Sequence, residues 1–166
     1  MTDQKDSKDS NVFKLTLPQK ADKASRASEK KWGKDVMAIG FAIIPSLLIR
    51  AQRRLGLNPT QLAVLIQLID YWWEQARLPY PSKNALSERL GLSPRQLQRH
   101  IAELEKAGFV TRIERRAAHN GKQSNAYDFS GLVKKLKKLE PEFREAKENA
   151  IEMKSQVEKR GRRLKK

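Results

Sequence analysis

The side chains most able to do chemistry in this chain are concentrated between Ser93 and Lys106. On a helical wheel of about 3.6 residues per turn, the aliphatic residues Ile101 and Leu104 fall within about 40° of Leu97, and the three predict a buried side. The opposite side and its edges carry long polar side chains around one small residue. The members of this outer surface are Arg95, Gln96, Gln98, Arg99 and Ala102.

These residue types match the chemistry of base reading in the DNA major groove. Arginine can pair bidentately with guanine and glutamine with adenine, and a small residue lets the helix approach the groove floor or a thymine methyl group. Early residues of such helices make most base contacts, so we expect the main contribution from Arg95, Gln96 and Arg99. The competing interpretation is an ordinary solvated helix face, since charged residues cover most helix surfaces.

The elements around this helix can also be predicted. A shorter helix begins at Ser82, Gly91 supplies a tight turn, and Ser93 with Pro94 begins the second helix, so the two form a helix-turn-helix. Alternating segments at 109–115 and 125–129, with an Asn-Gly turn at 120–121, predict a β-hairpin after it. Together these elements predict a mainly helical winged helix-turn-helix fold with a small β-hairpin wing and a C-terminal helical extension.

A second set of side chains suits the phosphate backbone rather than the bases. Lys106 lies near the end of the reading helix, the wing is basic, and the first helix of the pair begins with hydroxyl and cationic residues. We expect phosphate or wing contacts from Ser82, Lys83, Ser93, Lys106, Arg112, Arg115, Arg116, His119 and Lys122. For the wing, a solvated loop without DNA contact stays open.

The segments before the helix pair are predicted to form an extended segment and two further helices, the second of which is buried against the core. The apolar segment 37–44 is expected to be extended, and a helix is expected from Pro45 to about Leu55. Asn58 is a good N-cap for a central buried helix that runs to about Gln75 and includes Trp72 and Trp73. For these tryptophans we favour core packing over a base-stacking platform.

The region after Ser130 contains a heptad-like apolar seam. Pro141 is expected to interrupt or restart the helix there, and a last helix is expected to run to about Lys159. The seam consists of Leu132, Leu136, Leu139, Phe143, Ala146, Ala150, Met153 and Val157. It predicts a homodimer, which would place two reading helices on neighbouring half-sites. A monomer, with 132–143 packed on the chain's own domain and the rest a free basic helix, is the alternative.

The expected organisation is therefore a disordered tail at 1–35, the DNA-binding domain at 36–130, C-terminal helices at 131–160 and a basic tail at 161–166. The tail is rich in Lys, Asp, Ser and Ala, a composition that buries little apolar surface. Within it, Val12–Pro18 alternates like a short strand. It is either a stray apolar patch or a motif that docks on a protein partner or on the chain's own domain.

Composition limits the function classes. The formal net charge is +16 in 166 residues, which points to a polyanionic partner. Neither an apolar run of membrane-spanning length nor a signal-peptide core is visible, so we expect a cytoplasmic, nucleoid-associated protein that does not bind a membrane. There is no cysteine, and no catalytic or metal-ligating constellation is visible, so we expect no enzyme activity, no metal and no cofactor.

Residues about 40 to 143 resemble a family of bacterial winged-helix proteins found on plasmids, prophages and other mobile elements, and are similar to the N-terminal domain of DnaD primosomal proteins. The resemblance rests on three stretches, 40–50, 55–73 and 80–108, which include Leu55-Gly56-Leu57-Asn58-Pro59 and Gln98-Arg99-His100-Ile101. It implies sequence-selective binding of double-stranded DNA, often as a dimer.

We therefore expect a transcriptional regulator of a mobile-element or accessory operon. A replication-initiation or partition protein, an adaptor that tethers a larger complex to DNA, and an RNA-binding protein are the alternatives. For the adaptor, Val12–Pro18 or the C-terminal helix would be the working surface.

Overall fold

The computed structural model describes residues 27–116 and 123–163, with the backbone alone at 160–163. The alternating segment Val12–Pro18, the Asn-Gly turn at 120–121, His119, Lys122 and the end of the basic tail lie outside the described residues. The chain divides into two units, Met1–Phe41 and Ala42–Lys166.

In the first unit, residues 27–32 are helical and a second helix, α1, spans Lys34–Ile39. The expected disorder of 1–35 and the extended conformation of 37–44 are therefore wrong for residues 27–39. The segment contains Ala, Glu and Lys, which are good helix formers, and glycines bound α1 on both sides. Gly33 has φ 91° and Gly40 has φ 130°, conformations that favour glycine. Residues 40–45 belong to neither a helix nor a strand.

The second unit begins with α2, Ser46–Arg50, and a series of turns to Gly56. Helix α3 spans Pro59–Ile69. Its start is a capping box, in which the Asn58 Oδ1 accepts from the Gln61 backbone N–H (2.8 Å) and the Gln61 Oε1 accepts from the Asn58 N–H (3.0 Å). These bonds satisfy backbone donors that the first turn of a helix leaves unpaired.

Helix α3 ends at Ile69, six residues before the predicted end at Gln75. The hydrogen-bond spacing shortens there from four residues to three, because the Trp72 N–H donates to the Ile69 carbonyl (2.8 Å). The turn places the Trp72 ring against Phe129, with 5.1 Å between ring centroids. Trp73 is 64% exposed, so the prediction that it packs in the core is wrong.

The helix-turn-helix consists of α4, Lys83–Leu90, and α5, Pro94–Lys106. Gly91 between them has φ 62°, the left-handed conformation that the tight turn requires. The β-hairpin follows, with β1 at Thr111–Ile113 antiparallel to β2 at Ala126–Asp128. The extended segment before α4 joins this sheet edge through one bond, from the Tyr127 N–H to the Pro79 carbonyl (2.9 Å). The fold is thus mainly helical with a two-stranded hairpin, as the sequence predicted.

The last helix, α6, is continuous from Ser130 to Arg163 and contains Pro141. The predicted interruption is wrong. Proline removes one backbone donor, and Pro141 is exposed, so water can pair with the carbonyl that loses its partner. The side chain of Asp128 caps this helix, because its Oδ1 accepts from the Ser130 N–H (2.9 Å).

One hydrophobic core joins α2, α3, the helix-turn-helix, the hairpin and the start of α6. Its fully buried members include Leu48, Leu65, Leu68, Leu86, Leu97, Ile101, Leu104, Tyr127 and Phe129. The described helices include none that is both long and apolar enough to cross a lipid bilayer.

Candidate nucleic-acid interface

Helix α5 is held firmly at its start and along its inner side. The Ser93 Oγ accepts from the Gln96 N–H (3.3 Å), and the Gln96 Oε1 accepts from the Ser93 N–H (2.9 Å), forming a second capping box. Leu97, Ile101 and Leu104 are 0%, 1% and 1% exposed, so the predicted buried side is confirmed. The rotation of α5 about its axis is therefore fixed by the core.

The outer side of α5 presents the predicted polar surface. Arg95, Gln98, Ala102 and Lys106 are exposed, and within the described part of the chain neither hydrogen bonds nor ion pairs engage the three polar side chains. Arg99 is exposed too, and its Nε lies 3.8 Å from the Glu103 Oε1, a loose pair that water screens. Four long donors around one small residue remain available to a ligand.

Gln96 differs from its predicted role. Its carbonyl oxygen accepts from both the Ser93 N–H and the Ser93 Oγ, each at 2.9 Å. A bidentate contact with adenine needs that oxygen as well as the amide group, so Gln96 serves helix capping while the capping box is intact. The spacing Ser93-Pro94-Arg95-Gln96 is that of a capping box. This sequence pattern is the signal that identifies the capping role of Gln96.

The acidic residues of α5 act inside the domain. Glu103 accepts from the Gln61 Nε2 (3.0 Å) and lies 3.2 Å from the His100 Nδ1. The Gln61 hydrogen bond, followed by the contact with His100, lowers the pKa of Glu103. Because Gln61 also caps α3, it connects the start of α3 with α5. Sequence reasoning missed Gln61, whose partner is 42 residues away in the chain.

Glu105 ties α5 to the hairpin. Its Oε2 accepts from the Arg112 Nε (2.7 Å) and forms an ion pair with the Arg112 Nη2 (2.5 Å), while its Oε1 accepts from the Arg112 backbone N–H (3.1 Å). The hydrogen bonds from Arg112 lower the pKa of Glu105. Arg112, predicted as a phosphate contact, therefore has its guanidinium occupied by an ion pair with Glu105. Its role in the structure is to fix the base of the wing.

The other predicted phosphate contacts lie at the start of α4 and in the wing. The Ser82 Oγ caps α4 by accepting from the Ala85 N–H (3.1 Å), and Lys83 beside it is half-buried. Arg115 stacks on Tyr80, with its Cζ 3.9 Å from the ring centroid. Arg116 is exposed and lies 3.9 Å from Glu114.

The apolar seam of α6 divides into two parts. Leu132 is buried, Leu136 packs against the core, and Leu139 and Phe143 are half-buried. The ion pair of Arg54 with Glu142 (2.6 Å) also holds this part of α6 on the domain. Beyond it the seam is exposed, with Met153 at 69% and Val157 at 68%. Packing of 132–143 on the chain's own domain, the alternative left open above, is what the structure shows for the first part.

Residues 55–110 match the family model described as a helix-turn-helix domain, and the helix-turn-helix formed by α4 and α5 lies within this segment. The described residues contain no group of three or more His, Cys, Asp or Glu placed to hold a metal ion. The helix-turn-helix together with the polar outer side of α5 supports DNA binding.

Several solved structures are similar to this chain, among them the following three. The N-terminal domain of DnaD protein from Geobacillus kaustophilus is 22% identical, with a TM-score of 0.49 over 74% of this chain and 97% of that one. A possible transcriptional regulator from Methanosarcina mazei is 17% identical (TM-score 0.38, 61% and 82%). The multiple antibiotic-resistance repressor MarR from Listeria monocytogenes is also 17% identical (TM-score 0.37, 90% and 98%). At these values the three structures carry no argument about function. A comparison with curated proteins gives no significant match.

Proposed function

We propose that this protein is a sequence-selective double-stranded DNA-binding regulator, acting in the cytoplasm on an accessory or mobile-element operon. The observation that carries the proposal is the outer side of α5. Arg95, Gln98 and Lys106 are exposed without an intramolecular partner in the described residues, on a helix whose orientation the core fixes. Because the core already fixes the helix that carries these donors, less conformational freedom is lost on binding. This favours a binding role over a catalytic one.

The positions of the side chains suggest which of them contact bases and which contact phosphates. Arg95, Gln98, Arg99 and Ala102 are proposed to read base edges in the major groove. Lys106, Lys83 and the start of α4 are proposed to contact phosphates, which supply affinity without sequence information. With a net charge of +16, the affinity should fall steeply as salt rises.

A binding selection with randomised duplex DNA tests this proposal. We expect an enriched motif several base pairs long, whereas an RNA-binding protein would favour structured or single-stranded RNA in a parallel selection. Recovery of duplexes without any enriched motif would contradict a sequence-selective regulator. Repeated copies of the motif close to a replication origin would favour the replication-initiation or partition function instead.

The exposed end of α6 favours a second part of the proposal, homodimerisation. Ala146, Ala150, Met153 and Val157 continue the heptad spacing on a helix that has left the domain surface. Sedimentation equilibrium of wild type and Met153→Glu would test it, with Lys154→Glu as a control outside the seam. A wild-type monomer at tens of micromolar would exclude the dimer, and the seam would then suit a heterologous partner, as in an adaptor.

A further inference from the structure

Tyr80 holds two arginines that are far apart in the sequence. Arg115 stacks on its ring at 3.9 Å from the centroid, and the Arg77 Nη2 donates a hydrogen bond to its hydroxyl oxygen (3.1 Å). The Arg77 guanidinium carbon is also 5.9 Å from the ring centroid. A single ring therefore keeps two positive charges close together.

The position of this cluster connects two elements that are expected to contact phosphate. Tyr80 lies two residues before Ser82, the N-cap of α4. Arg115 follows β1 at the end of the hairpin that leads into the wing loop, where its carbonyl accepts from the Gln123 N–H (3.3 Å). The cluster thus lies at the junction of the wing with the start of the helix-turn-helix.

Within the described residues, neither Arg77 nor Arg115 forms an ion pair, although most other arginines around the hairpin and α4 do. Arg89 pairs with Asp70 and Arg112 with Glu105, while Arg116 lies within 4 Å of Glu114. The hydrogen bond to Tyr80, with a smaller contribution from the charge of Glu74, raises the pKa of Arg77. Two neighbouring guanidinium groups that form no ion pair with a carboxylate of the described residues are suited to bind an anion.

The mode of contact leaves the arginines ready to bind. An arginine that stacks on an aromatic ring uses the face of its guanidinium group, so that its N–H donors stay available at the edge. Because the ring already restricts Arg115, less rotamer freedom is lost when an anion is bound. Tyr80 is 42% exposed, so the cluster is accessible from solvent.

We propose that Arg77 and Arg115 form a phosphate clamp on the DNA backbone, with Tyr80 as the residue that positions both. This inference rests on the proposed DNA binding and adds Arg77 and Tyr80 to the interface, neither of which the sequence predicted there. The clamp would contribute to affinity for any duplex rather than to base selectivity.

The test is the salt dependence of binding to one duplex of arbitrary sequence, measured by fluorescence anisotropy at several sodium chloride concentrations. Each lost phosphate contact should reduce the slope of log K against log salt by about 0.9. We expect that reduction for Arg77→Ala and for Arg115→Ala, about twice as much for the double variant, and no change for the control Arg144→Ala on α6. Arg77→Lys keeps the charge and should keep the slope.

Substitutions of Tyr80 distinguish the loss of arginine positioning from the loss of positive charge. Tyr80→Ala removes no charge, yet we expect it to lower the slope and to weaken binding by about 3- to 10-fold. Tyr80→Phe keeps the ring and should retain the Arg115 contribution. Thermal denaturation of each variant confirms that the domain is folded.

The outcomes distinguish the clamp from the function on which it rests. Wild-type protein that shows no salt-dependent binding to the duplex would contradict both. Wild-type binding with unchanged slopes for Arg77→Ala and Arg115→Ala would leave DNA binding intact and overturn the clamp.

Discussion

Breaking the ion pair of Glu105 with Arg112 should weaken the junction between the reading helix and the wing. Glu105 accepts two hydrogen bonds from Arg112, one from the Nε and one from the backbone N–H, and its Oε2 also forms an ion pair with the Arg112 Nη2 (2.5 Å). The two side chains are 31% and 32% exposed, so water screens them only in part. Hydrogen bonds to charged groups contribute about 1.5–3 kcal/mol, and partial exposure reduces that range. We expect a coupling free energy of about 1–2 kcal/mol for the pair.

The assay is a double-mutant cycle by urea unfolding at pH 7, with Glu105→Ala, Arg112→Ala and the double variant. Glu105→Ala should cost more than Arg112→Ala, because it also leaves the Arg112 backbone N–H without its partner. The exposed pair of Glu114 with Arg116, 3.9 Å apart, is the control cycle, and we expect no measurable coupling from it.

The pH dependence provides an independent check. The folded-state pKa of Glu105 is lowered from its ordinary value of 4.5 by the Arg112 hydrogen bonds, so the ionised carboxylate stabilises the fold. That contribution is complete above the ordinary pKa and is lost as the pH falls through the lowered value. A coupling below about 0.3 kcal/mol at pH 7, or a coupling that stays constant below pH 4.5, would refute the reasoning.

Three further predictions concern stability and assembly. Ser93→Ala should lower the free energy of unfolding by about 1 kcal/mol through loss of the Ser93 Oγ, which accepts from the Gln96 backbone N–H; unchanged urea unfolding would contradict this role. Gly131→Ala should cost about 2 kcal/mol because the new Cβ would collide with the Gly108 carbonyl oxygen, whereas a wild-type melting temperature would contradict such close packing. Met153→Glu should abolish the dimer without changing the unfolding of the domain, since Met153 is 69% exposed; a destabilised domain would show that the seam packs elsewhere.

The sequence predicted the helix-turn-helix well because local patterns determine it. Capping residues at Asn58, Ser82 and Ser93 and the glycine at Gly91 bound the helices as the structure has them. The apolar spacing of Leu97, Ile101 and Leu104 was enough to predict which side of α5 is buried.

The errors arose where tertiary contacts override local patterns. Helical periodicity continues past Ile69, but packing of Trp72 on Phe129, 57 positions later, ends α3 early. The pairing of Glu105 with Arg112 depends on the register of α5 with β1, which no local rule supplies. Pro141 was expected to break a helix, but an exposed proline removes only one bond from a helix already packed on the domain.

The most direct test of the central claim compares the DNA motifs selected from a random duplex library by wild-type protein, Arg99→Ala and the control Arg144→Ala. If α5 reads base edges, Arg99→Ala should lose preference at one or two adjacent positions, by about 1–3 kcal/mol, and keep the rest of the motif, while Arg144→Ala should select the wild-type motif. An Arg99→Ala protein that selects the full wild-type motif with unchanged preference at every position would contradict the assignment of α5 as the reading helix.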